Sequence, residues 1–145
     1  VWRAGDRRDY AQRKAWVESH HDPYAVFVTT VPATDAATEG GERIIGFSAL
    51  SVFYDRAGYD GVTDLAYYIA PEWQGRGAGT FTLAKLLDEC RNRHMRKACG
   101  IIFADNRGSI ALMKHFGFTQ FGLMPQAATD STGTMRDMSY WHLDL

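Results

Sequence analysis

Residues 62–93 constrain the fold of this chain more than any other stretch. Val62 to Ile69 is rich in β-branched and aromatic residues and is closed by Pro71, so it reads as a strand that stops where proline removes the next ladder donor. The loop Gln74-Gly75-Arg76-Gly77-Ala78-Gly79 follows, and Leu83, Leu86, Leu87 and Cys90 then recur at helical spacing through about Arg93. Strand, glycine turn and amphipathic helix in that order demand a sheet with a helix packed on it. They also put a helix N-terminus directly after three glycines. Because glycine has no Cβ, successive backbone N–H groups can turn toward one anion at the positive end of that helix. A pyrophosphate is the natural guest; a glycine turn with no ligand is the alternative that the glycines alone leave open. Two familiar phosphate loops are excluded. Thr80 stands where the third glycine of a dinucleotide loop belongs, Lys97 stands about twenty residues after Gly77 where that loop needs an acid, and no Gly-Lys-Ser/Thr follows.

The rest of the chain supplies a sheet for this helix. Ala25 to Val31 and Ile44 to Tyr54 read as strands joined across a Gly, Thr and Ala loop from Pro32 to Gly41, which is expected to be mobile. Asp55 to Gly61 is a second loop. Ala98 to Ala104 is a compact apolar strand, Asp105 or Asn106 can cap a helix through Lys114, and Gly117 suits its left-handed end. Phe118 to Leu123 and Asp137 to Leu145 are the last two strands. Ahead of them all, Asp9 to His20 reads as a short amphipathic helix with Ala11, Ala15, Trp16 and Val17 as candidate core contacts, stopped by Asp22-Pro23. The expectation is one α/β domain over residues 1–145, with no repeat or linker dividing it.

Composition narrows the partners. A length of 145 residues with 46% hydrophobic residues supports one core, and a formal charge of -1 gives no basic field for nucleic acid or an anionic membrane. No apolar run is long enough to cross a bilayer, and Val1 to Arg13 is too charged for a secretory signal. Cys90 and Cys99 show neither metal spacing nor a disulfide framework, and read as buried thiols of a reducing compartment, the cytoplasm by default. His20-His21 has no third ligand at useful spacing, so no metal site is expected. The tryptophans, Trp16 and Trp141 among them, are expected in the core or an interface. The start at Val1, in a charged stretch with no strand pattern, suggests that part of the N-terminus is missing.

Gln74-x-x-Gly77-x-Gly79 resembles the acetyl-CoA motif Gln/Arg-x-x-Gly-x-Gly/Ala of the GNAT N-acetyltransferase superfamily. Tyr67-Tyr68-Ile69-x-Pro71 before it, and Asn106-x-x-Ser109-x-x-Leu112 with Gly117-Phe118 after it, match in order and at family spacing. The resemblance implies a mixed, mostly antiparallel central sheet flanked by helices, an N-terminal strand and helix upstream of Val1, a homodimer, and acetyl-CoA as acyl donor. It assigns Tyr68, Ile69, Gln74, Gly75, Arg76, Gly77, Ala78, Gly79, Thr80, Asn106 and Ser109 to that donor. Within the superfamily, Arg56-x-x-Tyr59-Asp60, Asp64 and Met124-Pro125-Gln126 look like the phosphinothricin and methionine sulfone acetyltransferase branch. That branch's Gly-Arg-Trp-Leu-Asp segment is here Gly133-Thr134-Met135-Arg136-Asp137, without the Trp.

The chemistry implied is acetyl transfer to a small amine, an amino acid or an analogue of one. An amine of pKa near ~10 is mostly protonated at neutral pH, so its attack needs a base. The resemblance places the branch's acidic residue at Asp64, which takes that role here, against the alternative of a surface or turn carboxylate. It implies an oxyanion donor from the backbone near Tyr68 or Ile69, and an anion-recognising pair in Arg56 and Tyr59. Met113 stands where many members carry a tyrosine that protonates the leaving thiolate, so no general acid is named. Asn106 and Ser109 are equally suited to capping a helix, and Arg91, Arg93, Arg96 and Lys97 either meet the nucleotide's 3′-phosphate or sit solvated at a helix C-terminus. Two further readings stay open. One is acetylation of a protein N-terminus or lysine, which needs an open groove rather than the pocket that Arg56 and Tyr59 suggest. The other is a non-catalytic acyl-CoA sensor, against which the presence of Asp64 argues.

Overall fold

A computed structural model of the chain describes residues 9–33 and 41–145. Residues 34–40, in the loop expected to be mobile, and residues 1–8 of the charged start lie outside the described residues. The elements are α1 (Tyr10–Glu18), β1 (Ala25–Pro32), β2 (Glu42–Val52), β3 (Val62–Ile69), α2 (Ala78–Asn92), β4 (Lys97–Phe103), α3 (Arg107–His115), β5 (Thr119–Thr129) and β6 (Met135–Asp144), the order expected from sequence.

One six-stranded sheet runs β1-β2-β3-β4-β6-β5. Every neighbouring pair is antiparallel except β3 and β4, whose parallel pairing needs a crossover, and α2 supplies it. That parallel ladder holds only Val62 with Lys97, Thr63 with Ala98 and Asp64 with Cys99. Beyond it the strands part, β3 staying with β2 to Ile69 and β4 staying with β6 to Phe103. This gap in the middle of the sheet positions the functional site.

The helical stripe legible in sequence is the one that packs. Leu83, Leu86, Leu87 and Cys90 of α2 are buried against Leu50 and Leu65 of the sheet, and the cluster continues to Met113, Phe118 and Trp141. Burying each leucine contributes about 1.5–3 kcal/mol. Trp141 is core, as expected, and its Nε1–H donates to Ser139 Oγ at 2.9 Å. Helix α3 approaches β4 at Gly100, where an added Cβ would stand 3.1 Å from Met113 Sδ. Both cysteines are buried free thiols, pushed up by burial to about 12 for Cys90 and about 11 for Cys99.

Three expectations are corrected. Asp9 caps α1 in a reciprocal box with Gln12, at 2.8 and 3.0 Å, but Ala11, Ala15 and Val17 are exposed and Trp16 alone of the four is half-buried. Trp16 lies roughly 140° around the helix from Ala11 at 3.6 residues per turn, so the four never shared one face. Strand β2 ends at Val52, its last ladder partner being Thr63, which leaves Phe53 and Tyr54 in the loop. Strand β5 runs on past Leu123 to Thr129. Pro125 reads as a strand end in sequence, but a register shift between Met124 and Ala128 carries it, with Gln126 at φ 48° and its N–H bonded to Asp137 Oδ1 at 2.8 Å. The β5–β6 turn is organised by Asp130, whose carboxylate accepts from the hydroxyl and N–H of Thr132, the N–H of Thr134 and Arg136 Nε. These bonds, the Thr132 hydroxyl first, hold its pKa far below the usual carboxylate range.

Candidate active site

The donor side of the site is a cleft of about 490 Å³ between the open end of β3, the glycine loop and the start of α3. The structure brings Tyr68, Ile69, Gln74, Gly75, Gly77, Gly79, Thr80, Asn106 and Ser109 together along it, with Tyr67 and Leu112, which belong to the motif match but carry no assigned role, and Gly108, which the sequence did not single out. Arg76 and Ala78 instead line a separate cleft of about 250 Å³ beside Trp73 and Phe81, and the Arg76 guanidinium lies 5.4 Å from the Trp73 ring centre. The side chain of Arg76 is therefore turned away from the donor cleft.

The loop has the build of an anion cradle. Gly77 is the N-cap of α2 at φ 86°, ψ -3°, a left-handed conformation that a Cβ would strain. Hydrogen bonding along α2 starts with the Phe81 N–H to the Gly77 carbonyl at 2.9 Å. The N–H groups of Ala78, Gly79 and Thr80 thus have no carbonyl of their own helix to meet. A Cβ built on Gly75 or Gly77 meets nothing within 4 Å, so it would project into open cleft. Gln74 Nε2 donates to the Ile69 carbonyl at 3.0 Å and fastens the loop to the end of β3. Asn106 Oδ1 accepts from the Ser109 N–H at 3.1 Å, so its side chain caps α3 at the cleft's opposite wall. Free N–H groups at one helix end and an open, Cβ-free floor fit the pyrophosphate arm of acetyl-CoA.

Strand alternation identifies the backbone donors that face the gap. The Ala70 N–H bonds to the Ile45 carbonyl of β2 at 2.8 Å. N–H groups two residues apart point the same way, so Tyr68 also faces β2, while Tyr67 and Ile69 direct theirs toward the gap. Of the two residues the resemblance names near the oxyanion, Ile69 directs its N–H into the gap and Tyr68 directs its N–H to β2.

Asp64 is the last β3 residue paired with β4, at the apex of the gap. Leu65 belongs to the core beneath α2, so Asp64 points to the other face of the sheet, the face carrying α1. Its cross-strand neighbour on β2 is Ser51, whose Oγ lies 2.9 Å from His20 Nε2, and His20 Nδ1 lies 2.7 Å from the Trp16 carbonyl. Trp16, Phe47 and Tyr68 form an aromatic wall on that face, Phe47 stacking on Tyr68 at 5.8 Å. Asp64 Oδ1 is sealed from solvent with no hydrogen-bond partner among the described residues. Burial pushes its carboxyl up from 3.8 to about 6. A carboxylate at the apex of a gap with that affinity for a proton is suited to general-base work near neutral pH.

Tyr59 and Arg56 belong to the loop after β2. Tyr59 lines a cleft of about 400 Å³ with Cys99, the strand neighbour of Asp64, and with His142. The Arg56 guanidinium sits 5.8 Å from the Tyr54 ring centre, and that ring is 5.1 Å from Tyr59. Arg56 does not line this cleft. The basic cluster is engaged elsewhere: Arg93 with Glu89 and Asp22, Arg91 with Asp88, Arg96 with the Asp60 and Gly58 carbonyls, and Lys97 with Asp144. At 1.5 Å per residue the 15-residue α2 holds this end about 20 Å from the glycine cradle. No group of three or more potential metal ligands occurs among the described residues, and none of their helices is long and apolar enough to cross a membrane.

A sheet opened between two parallel strands, with a helix N-terminus bared beside the opening, defines a protein with an anion-binding cleft that meets a gap in its sheet. The chain belongs to the GNAT acetyltransferase family, whose model matches residues 2–118. It is 27% identical over 138 residues to the L-methionine sulfoximine/L-methionine sulfone acetyltransferase of Pseudomonas aeruginosa, covering 94% of this chain and 75% of that protein. It is 30% identical over 113 residues to the phosphinothricin N-acetyltransferase of Streptomyces coelicolor, covering 77% of this chain and 62% of that one. Among solved structures, the phosphinothricin acetyltransferase from Sinorhizobium meliloti in complex with acetyl-CoA superposes with a TM-score of 0.74 at 27% identity, over 93% of this chain and 67% of that one. The ribosomal-protein-alanine N-acetyltransferase from Brucella melitensis does so with a TM-score of 0.81 at 27% identity, over 95% and 80%. The protein is thus an acetyl-CoA-dependent N-acetyltransferase.

Proposed function

We propose that this protein acetylates the primary amine of a small amino-acid-like acceptor, with Asp64 as the base. The observation that carries the reading is Asp64 itself, a desolvated carboxyl at the apex of the gap whose Oδ1 has no hydrogen-bond partner among the described residues, on the face opposite that of α2. Relatives named for methionine sulfone and phosphinothricin support the acceptor class. The cradle at Gly77–Thr80 would hold the donor's pyrophosphate, and acetyl-CoA would supply an activated acetyl thioester. Ile69 N–H stabilises negative charge developing on the acetyl oxygen. Asp64 takes the proton from the attacking nitrogen, directly or through one water. Trp16, Phe47 and Tyr68 give the acceptor an apolar wall, and Arg56 and Tyr59 bind its carboxylate or phosphinate, which requires the Tyr54–Tyr59 loop to turn the guanidinium off Tyr54.

The reading includes a single domain, a cytoplasmic setting and a homodimer. Two buried free thiols support the second, and more than half-exposed Phe121, Leu123 and Met124 on edge strand β5 support the third. Sedimentation at micromolar concentration checks the dimer. Thiol release from acetyl-CoA, followed with free amino acids, their sulfone, sulfoximine and phosphinate analogues, and short peptides, tests the function. Turnover with the small acceptors and none with peptides is expected. The reverse pattern would point to a protein N-terminus, and no thiol release with any of these acceptors to a sensor.

A further inference from the structure

The residues named so far leave the departing sulfur without a proton donor. Met113, at the position where the family resemblance implies a tyrosine, is 1% exposed and packed under Gly100. Helix α3 therefore offers no hydroxyl from that turn. Strand β3 does. Residues 65, 67 and 69 share the face that meets α2 and α3, and the Tyr67 ring packs on the core cluster while lining the donor cleft with Asn106, Ser109 and Leu112. Its hydroxyl is sealed from solvent and makes no hydrogen bond of regular geometry among the described residues, its polar neighbour being the Ser109 side chain, a loose partner that lowers its pKa. Leaving a buried polar group unpaired costs about 1–3 kcal/mol, and such a group calls for a use. A leucine or phenylalanine would fill the same space without that cost.

We propose that Tyr67 is the proton donor to the sulfur leaving the acetyl group, replacing from the strand the acid that Met113 cannot be. The inference rests on acetyl transfer from a thioester and not on which amine accepts. As the carbon–sulfur bond breaks, its electron pair goes to sulfur and the Tyr67 O–H proton joins it, giving the free thiol. Once the thiol has left the cleft and water enters, the Tyr67 phenolate takes back a proton and the phenol is restored, while Asp64 returns to water the proton taken from the amine. One proton leaves nitrogen and one arrives on sulfur, so the reaction balances without another reactant. Asp64 and Tyr67 are three residues apart on one strand, about 10 Å at the usual rise, and point to opposite faces. The base faces the acceptor and the acid faces the donor, with the gap between them. Burial raises the phenol's pKa, with Ser109 acting against that rise, so the proton is in place throughout the working range.

The test is Tyr67→Phe, which keeps the ring and removes the hydroxyl. With CoA bound, the parent's hydroxyl should stabilise the thiolate, so the bound thiol, followed by its ultraviolet absorbance, should ionise about one pH unit below the ~8.5 of a free thiol. In Tyr67→Phe that ionisation should return toward the free value. CoA affinity at neutral pH should stay within about twofold, and kcat should fall on the order of 10- to 100-fold. Bound-thiol ionisation that is the same in both proteins would overturn the proposal. So would a kcat loss matched by an equal loss of CoA affinity, since that is the signature of packing. Should the variant melt too low to assay, a bound thiol in the parent that ionises no earlier than free CoA would sink the idea alone.

Discussion

Replacing Asp64 with Asn keeps the shape of the side chain and removes its charge, and the structure sets both consequences. The carboxyl is raised from 3.8 to about 6 by burial. A group whose folded pKa lies above its unfolded value stabilises the fold fully below the unfolded value and loses that contribution as pH rises through the folded one. The parent should therefore lose stability between about pH 4 and 6. About two pH units at about 1.4 kcal/mol each give a loss of about 3 kcal/mol, complete above pH 6. Asp64→Asn has nothing to ionise, so its stability relative to the parent should climb by up to about 3 kcal/mol across that window. For a chain of this size the difference in Tm should widen on the order of 5–10 °C. Any constant cost of a buried amide drops out, because the pH dependence is what is read. Turnover should move the opposite way: kcat should fall by a factor on the order of 10² to 10⁴ with CoA affinity intact, and the acid limb near pH 6 should disappear. Urea melts from pH 4 to 8 beside pH–rate profiles measure both. Parallel stability curves would refute the desolvation, and an unchanged rate profile would refute the base.

Gly77→Val should weaken acetyl-CoA binding at least about tenfold by calorimetry, because the side chain strains a residue at φ 86° and enters the cleft; Gly77→Ala should do so less. Arg56→Ala should raise KM for an anionic acceptor about tenfold while leaving KM for acetyl-CoA alone, and equal effects on both would place the anion elsewhere. Leu83→Ala, at a side chain with no exposure in the middle of the core, should cost about 2–5 kcal/mol in a urea melt without changing m.

Local pattern carried most of the fold into the sequence. The α2 stripe, the Gly77 cradle and the strand β3 ended by Pro71 are each written in neighbouring residues. The α1 face was misjudged because Ala11, Ala15, Trp16 and Val17 suggested an amphipathic stripe, when Trp16 alone of the four is half-buried. The extension of β5 was hidden because Pro125 signals an ending unless a bulge absorbs it, and that bulge depends on Asp137 across the hairpin. At the site, glycine spacing marked the loop that lines the cleft, but whether Tyr68 or Ile69 faces the gap depends on the parity set by one cross-strand bond, Ala70 to Ile45. Tyr67 entered only as part of the Tyr67-Tyr68-Ile69-x-Pro71 match, with no role of its own. Its significance lies in a buried hydroxyl without a regular hydrogen bond, a feature that exists only once α3 is packed against β3.

The claim at the centre is that the gap delivers acetyl to a small amine. The direct measurement is mass spectrometry of an equimolar mixture of free amino acids, their sulfone, sulfoximine and phosphinate analogues, and short peptides after incubation with acetyl-CoA, run in parallel with Asp64→Asn. The account predicts an added acetyl group on the α-amine of one or a few small acceptors, absent or at least about a hundredfold slower with Asp64→Asn. Acetylation confined to peptides, or the same product at the same rate from Asp64→Asn, would contradict it.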